Sequence, residues 1–84
     1  MKHFTVSSFW ASYDKLPAEL KAHADKNYKL LKENPSHPSL HFKKIEKYYS
    51  VRVSLSYRAL GIAVEEGIVW FWLGNHAEYD SLIK

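Results

Sequence analysis

Two prolines divide this chain into a helical half and a strand-forming half. Pro35 and Pro38 lie in residues 34–39, a segment in which neither a helix nor a strand can readily continue. Before it, apolar residues recur at three- and four-residue steps from Leu16 to Leu31, which indicates an amphipathic helix. After it, they alternate with polar residues or form one unbroken run, which is typical of strands. This change of period predicts an α+β fold.

The first half is expected to contain one strand and two helices. The loose alternation over residues 3–9 predicts a strand, and Ser8 or Ser12 could cap a brief helix that stops before Pro17. Pro17 fits the first turn of a second helix, where its missing N–H costs nothing. That helix should end near Asn34, because the proline that follows disfavours helical geometry there.

The second half is expected to form most of the sheet. Strands are predicted over residues 41–45, 49–56, 58–64 and 68–73, and a short helix over residues 76–83. The run Ile-Val-Trp-Phe-Trp-Leu at 68–73 should be a central strand buried on both faces. A hairpin loop at 65–67 should place Gly67 at positive φ. We therefore predict an N-terminal strand and two helices packed on one face of a twisted antiparallel sheet, with a polar opposite face and a short C-terminal helix.

Length and composition exclude several classes of protein. The chain has 84 residues and no cysteine, so we expect a single domain over residues 1–84 without disulfides or thiolate sites. It is too small to enclose a cofactor-sized pocket and keep a core, so no cofactor is expected. No run approaches the roughly 18 apolar residues that span a bilayer, and the first residues lack a signal-peptide pattern. We expect no membrane association and a cytoplasmic location.

Positive charge is concentrated in the middle of the chain. The net charge is only +3, yet residues 41–58 contain five basic residues and one acid, Glu46. A basic segment on an otherwise neutral body is typical of a phosphate-binding face. A solvated, lysine-rich surface is the alternative interpretation.

Metal and nucleophile chemistries are poorly supported. His37 and His41 have a helical ligand spacing, but Pro38 lies between them and no third ligand accompanies them, so no metal site is predicted. No glycine-rich phosphate loop or serine nucleophile motif is present. Glu65 and Glu66 lie at an expected hairpin tip, where solvated carboxylates are the simpler interpretation.

Two arginines form the most informative pair. Arg52 and Arg58 lie on consecutive predicted strands, and a chain reversal between residues 54 and 57 would make them neighbours. Two guanidinium groups on one face repel each other unless an anion such as phosphate binds between them. The alternative is that they pair with Glu46 or Glu66. His76 directly follows the buried strand, at a rim of the sheet, although it could instead cap the last helix.

At these residues the sequence resembles the RelE/ParE superfamily of toxins from type II toxin–antitoxin systems. The resemblance covers most of the chain and depends on the order of several short motifs. These are Leu16-Pro17, Phe42-Lys43-Lys44-Ile45, Val51-Arg52-Val53, Tyr57-Arg58-Ala59-Leu60 and the closing Trp72-Leu73-Gly74-Asn75-His76-Ala77-Glu78-Tyr79-Asp80.

The resemblance implies a ribosome-dependent, metal-independent endoribonuclease that cuts mRNA in the ribosomal A site and is silenced by a cognate antitoxin. Arg52 and Arg58 would hold the scissile phosphate, and His76 would act as general acid or base. Tyr79 would stack on a base or donate a proton. The remaining basic residues would bind RNA: Lys43, Lys44, Lys47 and His41. The free toxin is expected to be a monomer.

The general base stays unassigned at this point. Some members of the superfamily place a glutamate before the basic strand, whereas this chain has Ser39, Leu40 and His41 there, so His41, Glu46 and His76 compete. Two other functions also stay open. One is the gyrase inhibition of the ParE branch, without nuclease activity, and the other is a decayed toxin that only binds RNA.

Overall fold

In a computed structural model that describes residues 2–83, the chain forms a five-stranded sheet with three α-helices. The elements follow in the order β1 (Lys2–Thr5), α1 (Ser7–Asp14), α2 (Ala18–Glu33), a 3-10 helix (Pro38–Leu40), β2 (Lys43–Ile45), β3 (Tyr48–Arg52), β4 (Tyr57–Val64), β5 (Gly67–Asn75) and α3 (His76–Leu82). The predicted α+β class is confirmed, with helices before the prolines and mostly strands after them.

The sheet is mixed rather than wholly antiparallel. Its strand order is β1-β5-β4-β3-β2, and the pairs from β2 to β5 are antiparallel, but β1 runs parallel to β5. The prediction of a purely antiparallel sheet was therefore wrong at one edge. The reason is topological: α1 and α2 carry the chain across the sheet, and such crossovers allow parallel pairing whereas hairpins do not.

The two N-terminal helices begin differently from the prediction. β1 ends at Thr5 and α1 begins at Ser7, with Val6 as its N-cap residue and no capping hydrogen bond from a side chain, so neither Ser8 nor Ser12 is the cap. Pro17 is the N-cap of α2 rather than part of its first turn. The predicted end of α2 at Glu33 is confirmed. Asn34 leaves the helical region, with φ of −150° and ψ of 79°, in keeping with the proline that follows it.

Both hairpin turns differ from the prediction, because the β3–β4 turn is longer and the β4–β5 turn is shorter than expected. β3 ends at Arg52 rather than at residue 56, because Val53, Ser54 and Tyr57 form a turn with backbone hydrogen bonds among themselves. Only residues 65 and 66 separate β4 from β5, and Gly67 begins β5 without a positive φ. The prediction of a left-handed Gly67 was wrong because Gly67 pairs with Val64 as part of the ladder.

The core lies between the helices and one face of the sheet. Val51, Ala59 and Leu73 are paired in register on three neighbouring strands and belong to the same buried cluster as Leu31 of α2. The other buried members of this cluster are Leu16, Leu40, Val53, Ile68 and Trp70. No helix within residues 2–83 is long and apolar enough to cross a membrane.

The opposite face is mixed in character, not polar as predicted. Arg52 and Arg58 lie at one end of it, but β4 continues with Leu60, which is fully buried, and then with Ile62 and Val64, which are exposed. Beyond Arg58, β4 therefore carries apolar residues on both faces. β5 is buried on one face and only partly covered on the other, so it is not buried on both faces as predicted.

Candidate functional site

The two arginines are direct cross-strand partners. Arg52 at the end of β3 pairs in register with Arg58 near the start of β4, and Arg58 pairs on its other side with Gly74 of β5. Opposed residues in an antiparallel ladder project from the same face, so both guanidinium groups belong to one surface. The predicted chain reversal between residues 54 and 57 is confirmed by the turn that joins the strands.

Hydrogen bonds from outside the two strands position this pair. The side-chain amide of Asn27, in α2, donates to the carbonyls of Arg52 at 3.2 Å and Val53 at 2.7 Å. Arg58 Nη1 donates to the carbonyls of Ser54 and Tyr57, each at 3.0 Å. The end of β3 is therefore tied to α2, and the Arg58 side chain is tied to the turn.

Among residues 2–83, no carboxylate forms an ion pair with either arginine. The only ion pair found among residues 2–83 joins His76 to Asp80, so the alternative in which the arginines pair with Glu46 or Glu66 is not what the structure shows. Burial lowers the pKa of Arg58, and the charge of Arg52 lowers it further, whereas Tyr79 and Asp80 act in the opposite direction. Two adjacent, uncompensated guanidinium groups are well suited to bind a phosphate.

His41 lies beside the arginine pair. It follows the 3-10 helix in a left-handed conformation with φ of 45°, and its Nε2 is 3.4 Å from Arg52 Nη1. A guanidinium can only donate, so His41 Nε2 is the acceptor in this contact. His37 caps the 3-10 helix by accepting from the backbone N–H of Ser39 and is not a partner of His41.

α3 presents the second histidine. Asn75 caps this helix through a capping box with Glu78, so His76 is its first residue and not its cap. The backbone N–H of His76 donates to the carbonyl of Ser56 at 2.8 Å, which links α3 to the turn between β3 and β4. His76 Nδ1 is 3.0 Å from Asp80 Oδ2. The sequence reasoning missed Asp80, although its i,i+4 spacing from His76 was visible.

Tyr79 is a packing residue in this structure. It is 5% exposed, and its ring centroid lies 5.9 Å from that of His76. A side chain that stacks on an RNA base must expose a ring face, so the predicted stacking role does not match this burial. Tyr79 remains close enough to influence the pKa of Arg58. Tyr79 therefore lies beside His76 rather than on the open surface, and its role as a proton donor stays a prediction.

The sequence-predicted lysines separate into different places. Lys43 pairs with Ser50 and therefore lies on the arginine face, whereas Lys44 pairs with Tyr49 and lies on the helix face. Lys47 is in the turn between β2 and β3, with its ammonium over the ring of Tyr48. These residues do not form one cluster, because alternation along β2 sends neighbours to opposite faces.

Glu46, one of the three candidate bases, lies far from the arginine pair in the fold. It lies in the turn before β3, with φ of 55°, at the opposite end of that strand from Arg52. The length of β3 corresponds to about 13 Å at about 3.3 Å per residue. Within residues 2–83, no group of three or more His, Asp or Glu side chains is placed to hold a metal ion.

Sequence comparison identifies the family of this chain. The sequence model of the ParE-like toxin domain matches residues 18–81, which include every arginine and histidine described at this site. The chain belongs to the ParE-like toxin family. A comparison of this toxin with curated protein sequences gives no significant match.

Solved structures of other toxins have the same fold as this toxin. A chain of the RelB-RelE antitoxin-toxin complex from Methanococcus jannaschii superposes with a TM-score of 0.73 and 14% identity, covering 96% of this chain and 99% of that one. The YoeB/ParE toxin from Agrobacterium tumefaciens gives 0.67 and 16%, covering 90% and 99%. The isolated RelE toxin of E. coli gives 0.62 and 13%, covering 95% and 93%. At these identities the likeness concerns the fold.

Proposed function

We propose that this toxin is a ribosome-dependent endoribonuclease that cuts mRNA in the ribosomal A site and thereby inhibits translation. The observation that carries the proposal is the uncompensated pair of Arg52 and Arg58, with His41 beside Arg52 and the His76 helix beside Arg58. A phosphate binder flanked by two imidazoles has the groups that RNA cleavage through the 2′-hydroxyl requires.

The proposed reaction assigns one role to each side of the site. The arginines hold the scissile phosphate and stabilise the charge of the phosphorane. His41 Nε2 takes the proton of the ribose 2′-hydroxyl as the 2′-oxygen bonds to phosphorus. His76 protonates the 5′-oxygen as its bond to phosphorus breaks, which leaves a cyclic phosphate. These steps use no metal ion or cofactor. Glu46 has no part in the proposal, because β3 separates it from the arginines.

Partners follow from the same proposal. The site must accept mRNA within the ribosome, and Lys43, on the arginine face, would contact the RNA backbone. We also propose a cognate antitoxin that neutralises this toxin, since the related fold from Methanococcus jannaschii was solved in an antitoxin-toxin complex. An acidic antitoxin segment would complement the arginine pair and Lys43. The free toxin is proposed to be a monomer.

The test is translation of a defined mRNA by purified ribosomes, with the 5′ ends of the message mapped by primer extension. We expect new ends only when ribosomes and the wild-type toxin are both present. His41→Ala and His76→Ala should each reduce the cleavage rate by about 100-fold or more, the usual range for a positioned acid or base. Glu65→Gln, which removes a charge at the distant hairpin, is the matched control and should cleave normally. Intact message in every reaction would refute the nuclease proposal.

A second candidate function is inhibition of DNA gyrase without RNA cleavage. The observation that favours it is that the matching family model is the ParE-like one. A supercoiling assay with purified gyrase separates the two proposals, because only the second predicts loss of supercoiling. A toxin that binds RNA with strong salt dependence but neither cuts it nor inhibits gyrase would be the decayed form.

A further inference from the structure

We infer that Asp80 is a positioning residue that holds the His76 ring in one tautomer, with the proton on Nδ1 and with Nε2 available for the substrate. This inference rests on the proposed function for its catalytic consequence. The contact itself is independent of that function: Asp80 Oδ2 is 3.0 Å from His76 Nδ1, within hydrogen-bond distance.

A carboxylate leaves only one arrangement for this contact. Ionised Asp80 has no proton to give, so Nδ1 must carry the proton and donate it to Oδ2. The exchangeable proton of His76 is then the one on Nε2, on the other side of the ring. In the proposed reaction the Nε2 proton goes to the 5′-oxygen, and His76 is left neutral with its remaining proton still on Nδ1. Before the transfer the imidazolium carries a proton on both nitrogens, and after it the neutral ring keeps the Nδ1 proton; Asp80 accepts that Nδ1–H in both states.

Helix stability does not explain the pair. His76 is in the first turn of α3 and Asp80 is near its C-terminal end, which places each charge at the unfavourable end of the helix dipole. For pairs four residues apart, the stabilising order is the acid first and the base second, which is the reverse of the order found here. The two side chains are 52% and 51% exposed, and exposed ion pairs contribute little to stability.

The helix has a different source of stability. The capping box of Asn75 and Glu78 satisfies the N-terminus of α3, and buried Tyr79 anchors the helix on the sheet. A cap residue, an anchor and the bond from the His76 N–H to the turn are enough to fix where α3 begins. None of these three contacts fixes the tautomer of the exposed imidazole. The contact with Asp80 does.

The charged and titratable groups around His76 come from two elements. On α3 these are Asp80, in contact with Nδ1, and Tyr79, whose ring lies 5.9 Å away. From β4 comes Arg58, and Asp80 and Tyr79 both act on its pKa. Asp80 thus contacts His76 and also acts on the pKa of Arg58, without forming an ion pair with it. Removal of the Asp80 carboxylate should change the tautomer of the His76 imidazole directly, whereas it should act on Arg58 only over a longer distance.

The first arm of the test measures the tautomer itself. The chemical shifts of the ring nitrogens of His76, recorded by ¹⁵N NMR above the ordinary imidazole pKa of about 6.5, report which nitrogen carries the proton. We expect protonated Nδ1 in the wild-type toxin and in Glu65→Gln, and a mixture of both tautomers in Asp80→Ala. Asp80→Glu, which keeps a carboxylate four residues from His76, should restore protonated Nδ1. The same tautomer in wild type and Asp80→Ala would overturn the inference.

The second arm measures cleavage in a double-mutant cycle. Asp80→Ala should slow cleavage about 10- to 100-fold and alter its pH profile, the range seen when a partner that orients a functional histidine is removed. In a His76→Ala background the same change should have no further effect, because Asp80 acts only through the ring. A full, independent loss in that background, or normal cleavage by Asp80→Ala, would overturn the inference.

The two arms also separate this inference from the proposed function. A wild-type toxin that cleaves no mRNA, but whose His76 tautomer depends on Asp80, would refute the nuclease while supporting the positioning contact. Thermal unfolding of each variant accompanies both arms. Because the pair is exposed, Asp80→Ala should unfold within a few degrees of the wild type, so that lost cleavage reflects the ring and not the fold.

Discussion

Replacing each arginine of the pair in turn should have opposite effects on stability. Arg52→Gln removes one of two like charges that face each other across the β3–β4 ladder. Among residues 2–83, the one hydrogen bond of the Arg52 side chain is the 3.4 Å contact with His41. Arg58→Gln also removes the repulsion, but it deletes the two hydrogen bonds from Nη1 to the carbonyls of Ser54 and Tyr57. Arg52 therefore lowers the stability of the fold, whereas Arg58 raises it.

The magnitudes follow from the cross-strand geometry. Two charges about 6 Å apart repel by about 0.7 kcal/mol in water, and measured like-charge pairs across strands are of similar size. Arg52→Gln should thus raise the free energy of unfolding by about 0.5–1 kcal/mol, or Tm by about 2–8 °C for a chain of this length. Both bonds share the Nη1 donor of a partly exposed side chain, so together they are counted as one hydrogen bond to a charged group, about 1.5–3 kcal/mol. After the relieved repulsion is subtracted, Arg58→Gln should be destabilised by about 1–2 kcal/mol.

The assay is thermal unfolding followed by circular dichroism at low ionic strength and at about 1 M salt, where the screening length falls to about 3 Å. The advantage of Arg52→Gln should disappear at high salt, because repulsion is screened, whereas the deficit of Arg58→Gln should remain. A lower Tm for Arg52→Gln at low salt, or an advantage that persists at 1 M, would show that the pair is not electrostatically strained. The argument for an anion site would then lose its basis.

Three further predictions concern separate parts of the molecule. The free energy of unfolding should decrease as the pH falls below about 6.5, the ordinary pKa of an imidazole. Burial and nearby positive charge lower the pKa of His3, and its protonated ring cannot accept the hydrogen bond from Trp70 Nε1. Urea titrations should show a weaker pH dependence in His3→Gln, and an unchanged dependence would refute this. Gly67→Ala should detach β1 from β5, because the Cβ of the new alanine would overlap the backbone of β1. The amides of β1 should then exchange faster with solvent. Unchanged protection would contradict the pairing register of β1 with β5. Lys43→Gln should weaken RNA binding, and lower the salt dependence of that binding, more than Lys44→Gln does. Fluorescence anisotropy measures both quantities. Equal effects would contradict the placement of the two lysines on opposite faces of the sheet.

Local physical chemistry determined much of this protein from the sequence. The prolines at 35 and 38 separate the two long N-terminal helices from the four strands β2–β5, because proline restricts its own backbone and that of the residue before it. The spacing of Arg52 and Arg58 also predicted their pairing, since a short turn between two alternating strands brings such residues together. These features depend on neighbours in the chain, which sequence patterns report directly.

Long-range packing decided the rest. The parallel pairing of β1 with β5 joins residues more than sixty positions apart, and no local pattern specifies that orientation. The same holds for His41, which reaches Arg52 only because the 3-10 helix ends in a left-handed residue. It holds also for Glu46, because the length of β3 separates it from the arginine pair. The sequence therefore determined which residues could form a phosphate site. Only the tertiary structure decided which of them meet, because a short distance in space depends on the whole sheet and not on the segment that carries the residue.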